Sequence, residues 1–451
     1  MSREKLKLGA VLVGVGSGSE KELWRDPEVP LDASINIGWY IRQAQEAEDA
    51  RFDFVFIVDS QYITPDFPNH HLNRLEPLTL LSAVAAHTRR IGLVATISTT
   101  YSEPFDIARR LASLDLISDG RAGWNIVTSQ DPGTAGNFSR TAHGSYDDRY
   151  RRAAEAIEVV QGLWQSYEED AFAKDRNAPR FLDPAKLHRL DHQGEFFSVA
   201  GPLNIQRSRQ GQPPLVQAGT SEQGRDLSAR VADLVFSFAR TQQEALDLTE
   251  DVKTRALAYG RDPRKILFIP ALGVTIADTD EEARALEDKR LGLGDPKALL
   301  GLLSRQFGGF DFSGYDLDAP FPDIPAPAEA AGISRFHEEI AAVRREGGTL
   351  RDVLTRQRRS WLRLVGSPAT IAEELARWYR SGAADGFNFF VQHPADWVRF
   401  REEVVPLLVA QGIFRNEYEA DTLRGNLGLP VPRNVHENSF TAELEEPQLV
   451  S

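Results

Sequence analysis

An α/β fold, a (β/α)8 TIM barrel with long insertions after strand 4 and before strand 8, is what this sequence predicts, and three observations carry the prediction. Apolar runs of buried-strand character alternate with amphipathic stretches, the runs number eight, and polar side chains gather at their carboxyl ends, where such a barrel opens its site. The runs span 6–15, 53–59, 91–99, 122–128, 214–219, 234–238, 266–276 and 386–392. After the first, Ile37, Ile41, Ala44 and Ala47 share one helical face. The second ends Phe56-Ile57-Val58-Asp59-Ser60. The third leads to Glu103-Pro104, which places a proline where a helix starts without losing a hydrogen bond. The fourth lies within Gly120-Arg121-Ala122-Gly123-Trp124-Asn125-Ile126-Val127-Thr128-Ser129 and is followed by a helix whose face carries Tyr150, Ala153, Ile157, Val160 and Trp164. The fifth runs through Ala218-Gly219 into a helix start at Thr220-Ser221. The sixth and seventh follow, and 386–392 closes the set. The insertions cover about 168–209 and 291–350, long enough to serve as lids or oligomer contacts. Residues 1–430 are expected to form one domain and 431–451 an acidic tail.

Composition narrows the function. Of 451 residues, 41% are hydrophobic and 26% charged, a globular balance. A formal net charge of −14 opposes binding to nucleic acid or anionic membrane surfaces. No apolar stretch reaches the length of a membrane span and the amino terminus lacks a signal-peptide core, so a cytoplasmic location is expected. The absence of cysteine excludes disulfides, thiol nucleophiles, iron–sulfur clusters and thiolate zinc sites.

At the strand ends, Asp59, Thr96 or Thr99, Asn125, Thr128, Ser129, Thr220 and Ser221 converge on one mouth. Small residues at Ala218-Gly219 permit close backbone approach, and the hydroxyls and amides at the next helix start suit a phosphate, although Ser221 as a plain helix cap accounts for the same residues. Tyr146 and Tyr150, four apart, project from one side of a first helical turn, either toward a ligand or packed on the barrel. Asp59 is a carboxylate that burial makes costly unless hydrogen bonds reach it, or it caps the next loop.

These segments together resemble one family, the bacterial-luciferase-like flavin monooxygenases, in the branch that includes nitrilotriacetate, EDTA and dibenzothiophene-sulfone monooxygenases. The likeness extends from about Leu6 to about Pro430. It implies FMN, used as reduced FMN, with its phosphate at Thr220 and Ser221 and near Tyr150. It places Asp59 and Thr96 beside the ring, and Asn125, Thr128 and Ser129 on ribityl or ring oxygens. Tyr146 stands where many members carry histidine, and Ser17, Gly18 and Ser19 stand where many carry a first-loop histidine. The resemblance further implies oxygenation of a small organic substrate by O2 through a flavin C4a-peroxide species. Reduced FMN would come from a separate NAD(P)H-dependent flavin reductase, and the protein would be a homo-oligomer. No single acid or base is demanded. A deazaflavin-dependent oxidoreductase on the same barrel and a non-catalytic flavin-binding protein are the rival readings.

Other motifs carry less. Gly14-Val15-Gly16-Ser17-Gly18 mimics a dinucleotide loop but no helix follows at once. His188 and His192 have helical metal-ligand spacing, yet the stretch reads as a turn and no third ligand is in view, so no metal is expected. His70, His71 and Tyr62 sit in a polar loop that either faces substrate or is merely exposed. Arg225, one turn into the helix after Ser221, either helps neutralise a phosphate or is a solvated surface arginine, and Glu168-Glu169-Asp170 reads as a solvated run.

Overall fold

Eight strands close a parallel barrel in the computed structural model, which describes residues 5–15, 23–63, 74–129, 131–290, 300, 310–322, 340–353 and 361–437. In chain order the strands are β1 (Lys7–Leu12), β2 (Phe54–Ile57), β3 (Gly92–Ser98), β4 (Ala122–Val127), β5 (His192–Gln193), β6 (Ser198–Val199), β7 (Leu215–Gln217), β8 (Leu234–Ser237), β9 (Leu267–Ile276), β10 (Leu362–Gly366) and β11 (Gly386–Val391). The barrel order is β1-β2-β3-β4-β7-β8-β9-β11, and β11 returns to β1. Each of the eight expected runs supplies one barrel strand. Around them lie α1 (Ile37–Asp49), α2 (Pro77–Ala85), α3 (Pro104–Ile117), α4 (Tyr146–Leu163), α5 (Glu222–Val231), α6 (Gln242–Ala258), α7 (Asp280–Arg290) and α8 (Pro368–Ser381).

The strands are apolar on both faces because both faces are covered. Leu8, Ala10 and Leu12 of β1 and Val55 and Ile57 of β2 pack outward in the layer shared with the helices, while Val11, Phe54 and Phe56 belong to a separate inner cluster. Pro104 opens α3 as its spacing predicts. Ser145 caps α4, its hydroxyl accepting from the Asp148 amide, and Asp147 and Asp148 complement the first-turn dipole.

The amino-terminal end of the barrel is stoppered by the chain's own later segment. Leu423, Leu427 and Leu429 join the inner cluster with Val11, Phe54, Val94 and Val216. Gly92 makes room for this: a Cβ there would stand 2.5 Å from Leu423 Cδ1 and 2.9 Å from the Asp53 carbonyl. Below the stopper, fully buried Asp53 accepts from Leu8 N at 2.7 Å and from the Arg415 guanidinium, and Lys7 Nζ donates to the Asn426 carbonyl at 2.8 Å. Leu423, Arg424, Asn426, Leu427 and Leu429 are therefore core.

One strand departs from expectation. β10 runs parallel to the second half of β9, from Leu362 opposite Leu272 to Gly366 opposite Ile276, and lies outside the barrel circuit. Its alternating burial and its Arg363 hid it as part of a connection. Arg363 is nearly inaccessible and grips Glu287 of α7 with two bonds, of 2.8 and 3.0 Å.

In the connection after α4, β5 and β6 pair antiparallel across a turn closed by Gly194 N donating to the Phe197 carbonyl. His188 bonds Glu168 at 2.8 Å and His192 bonds Glu155 at 3.1 Å, so the two imidazoles serve different carboxylates. Residues 431–437 lie against this connection through Asn434, which donates to the carbonyls of Gln165 and Tyr167. Described parts of the second insertion hold their own small apolar cluster around Phe312, Leu317, Val343 and Leu350. His70, His71, and Gly16 to Ser19 lie outside the described residues.

Candidate active site

A cavity of about 280 Å³ opens at the carboxyl ends of the strands. Its wall includes Asp59, Thr96, Asn125, Thr128, Ser129 and Tyr150, six of the nine residues singled out in the sequence. Barrel geometry brings the strand residues together, Thr96 within β3, Asn125 within β4 and Asp59, Thr128 and Ser129 just beyond strand ends, while Tyr150 comes from the start of α4.

Thr96 and Asn125 form one unit. Thr96 Oγ1 donates to the Ile57 carbonyl at 2.6 Å and accepts from Asn125 Nδ2 at 2.8 Å. That fixes the Asn125 amide and leaves its Oδ1 buried without a partner among the described residues. Thr99, the rival in sequence, bonds the Val127 carbonyl at 3.2 Å and lines no part of the cavity. Ser129 takes a left-handed backbone, φ 50°, uncommon for a residue with a side chain. Its hydroxyl is tied to Ser98 Oγ at 2.7 Å.

Asp59 stands just past β2. Burial pushes its carboxyl up to about 6, the Arg74 guanidinium opposes that rise and Glu76 adds to it. Arg74 in turn donates to the Val58 carbonyl at 3.2 Å. Tyr150 has its phenol pushed up to about 12, by burial first and then by Tyr146, while the hydroxyls of Ser221 and Thr128 pull the other way.

Tyr146 and Ser221 stand at the rim. The Tyr146 hydroxyl is hydrogen-bonded to Ser221 Oγ and lies 3.4 Å from Tyr150 Oη, so the two helix starts meet. Ser221 is also the N-cap of α5, accepting from Gly224 N at 3.1 Å. The helix-cap reading of that serine is therefore the one the structure shows. Thr220 is exposed and takes no part in the cavity wall. Arg225 is held by Glu222 and Asp251 at 3.2 and 3.3 Å, away from any free anion role.

Sequence reasoning missed other wall residues. Gln217, at the end of β7, could have been found as the polar terminus of Leu215-Val216-Gln217. Phe56, Phe236 and Phe238 supply an aromatic side, with ring centroids 5.8 Å apart for Phe56 and Phe236 and 4.9 Å for Phe236 and Phe238. Single apolar residues at strand ends give no sequence signal that separates wall from core. Behind Ser129, Tyr101 Oη bonds His143 Nδ1 at 2.5 Å, and burial together with Arg149 lowers the imidazole's proton affinity.

Among the described residues no helix is long and apolar enough to cross a membrane. Comparison with known proteins then supplies the family. Residues 23–385 match the model for the luciferase-like monooxygenases. The chain is 42% identical over 435 residues to the N-acetyl-S-(2-succino)cysteine monooxygenase of Bacillus subtilis strain 168, covering 96% of this chain and 98% of that one. It is 40% identical to nitrilotriacetate monooxygenase component A of Aminobacter aminovorans, over 91% and 94% of the two chains. A riboflavin lyase solved with modified FMN and riboflavin superposes with a TM-score of 0.78 at 31% identity, covering 95% and 97%. With its eight-stranded barrel and a match along most of its length, the chain belongs to the luciferase-like monooxygenase family of oxidoreductases.

Proposed function

We propose that this protein uses reduced FMN and O2 to oxygenate a small organic substrate, with reduced FMN delivered by a separate NAD(P)H:flavin reductase. The observation that carries the reading is the meeting of Tyr150, Tyr146 and Ser221 at one end of a cavity whose other walls are Asn125, Ser129 and Asp59. The residues fit a flavin on two counts. Asn125 Oδ1 is a buried acceptor without a donor among the described residues, a state costing about 1–3 kcal/mol that a ligand N–H or O–H would relieve. Gly219 lines the cavity with bare backbone, and a Cβ there would crowd Gln217 Nε2 and Tyr150 Oη as well as Gly224 Cα.

When bound, the reduced flavin would supply the oxygen-activating chemistry. Asn125 would accept a hydrogen bond from it at Oδ1, in an orientation set by Thr96. Ser129, held in its left-handed turn by Ser98, would present its hydroxyl along the same wall. Tyr150, Tyr146 and Ser221 would hold the phosphate end through neutral hydroxyls. Asp59, with a carboxyl near 6, can keep or release a proton at its Oδ close to neutral pH. Phe56, Phe236 and Phe238 would keep water from the reacting end.

The word "component" in the name of the Aminobacter relative supports a partner protein for this chain as well. A single domain over residues 1–430, homo-oligomeric assembly and a cytoplasmic location complete the reading. The test supplies the purified protein anaerobically with reduced FMN, then oxygen, with a flavin reductase present. N-acetyl-S-(2-succino)cysteine and nitrilotriacetate, taken from the relatives' names, begin the substrate panel. Oxygen uptake coupled to product is expected. Absence of bound flavin, with flavin oxidation unchanged by the protein, refutes the proposal.

A further inference from the structure

Gln217, the last residue of β7, is almost wholly buried and lines the cavity, and its carboxamide cannot turn over. Oε1 accepts the Gly219 amide at 2.6 Å and the Ser228 hydroxyl at 2.7 Å. A backbone N–H can only donate, so the atom facing it must be the oxygen and the NH2 group must face the other way. Nε2 makes no hydrogen bond among the described residues. It borders the cavity near Tyr150: a Cβ on Gly219 would lie 2.8 Å from Gln217 Nε2, 2.8 Å from Gly224 Cα and 2.9 Å from Tyr150 Oη. Gln217 at the end of β7 and Tyr150 on α4 thus bring two polar groups together beside the start of α5, and the nearby cation Arg225 is already engaged by carboxylates.

We propose that Gln217 is a further cofactor-binding residue, its Nε2 donating to a phosphate oxygen of the bound flavin mononucleotide, with Ser228 the residue that positions it. The inference rests on the flavin reading above. A phosphate oxygen only accepts, and the cavity offers it a fixed N–H beside the Tyr150 phenol and the first-turn amides of a ten-residue helix. Ser228, itself buried on α5, divides its hydroxyl between Gln217 Oε1 and the Gly224 carbonyl at 2.8 Å, so it locks the amide without reaching the cavity.

The experiment compares the dissociation constants of FMN and riboflavin, which lacks the phosphate, by flavin fluorescence quenching in wild type, Gln217→Glu, Gln217→Met and Ser228→Ala. Gln217→Glu is isosteric: one carboxylate oxygen still accepts from Gly219 and Ser228, and the other replaces the donor. FMN binding is expected to weaken roughly ten- to a hundredfold in Gln217→Glu, the size of a lost hydrogen bond to a charged group, with riboflavin binding nearly unchanged. Gln217→Met should lower the FMN-to-riboflavin preference less, because it removes the donor without adding charge. Ser228→Ala should lower that preference too, at unchanged thermal midpoint, whereas a merely structural serine would affect both ligands alike. Equal losses for FMN and riboflavin in Gln217→Glu overturn the phosphate contact, and so does no loss at all. If wild type binds neither ligand, the cofactor reading itself fails and this inference with it.

Discussion

Replacing Asp59 by asparagine should stabilise the flavin-free protein, and only above pH about 4. Burial lifts the Asp59 carboxyl from 3.8 to about 6, against the pull of Arg74. The folded state therefore holds this proton more tightly than the unfolded chain does. Below pH about 4 both states are protonated and no penalty arises; between 4 and 6 the penalty grows; above 6 it is complete. Two pH units at about 1.4 kcal/mol each give roughly 3 kcal/mol as an upper limit, and partial solvent access to the side chain brings the expectation to about 1–3 kcal/mol. Asparagine keeps the shape and removes the charge. Urea unfolding of wild type and Asp59→Asn, measured without flavin from pH 4 to 8, should give curves that coincide at the acid end and separate as pH rises. Asp115, also lifted to about 6 by burial, titrates in both proteins and cancels in the difference. A difference that does not change with pH, or a variant less stable at pH 7, would refute the reasoning. The same variant should lose oxygenation activity, since a costly buried carboxylate at a cavity wall is retained for use.

Three further outcomes follow from the packing. Leu423→Ala empties part of the barrel stopper and should cost ~2–5 kcal/mol in urea unfolding while FMN affinity stays at the wild-type value, because the cavity opens at the other end. Arg415→Met strands Asp53, fully buried, and should cost about 3–5 kcal/mol; Asp53→Asn in the same background should recover part of it, and no recovery would remove the ion pair as the cause. Gly219→Ala places a methyl 2.8 Å from Gly224 Cα, which as backbone cannot swing aside. Flavin titration should show weakened FMN binding, and thermal unfolding a loss on the order of 1–3 kcal/mol.

The barrel was legible because a parallel strand buried on both faces leaves an unbroken apolar run, as Phe54-Val55-Phe56-Ile57 does. β10 was hidden for the opposite reason: its Arg363 is buried through a partner, Glu287, that sits 76 positions away. Polar residues at strand ends were readable as site candidates, and Thr96 could not be told from Thr99 until the inward face was known. Gln217 went unassigned because the orientation of its amide depends on Ser228, one helix later. The stopper went unread since Leu423, Leu427 and Leu429 show their purpose only opposite Gly92 and the inner strand faces.

That stopper bears on the order in which the protein can be made. The hollow of the barrel is filled at its base by residues that leave the ribosome after all eight staves have emerged. A nascent chain halted near residue 415 would hold a ring with an open floor, its inner phenylalanines wetted from below. Completion of the interior must wait for the segment that follows the last stave.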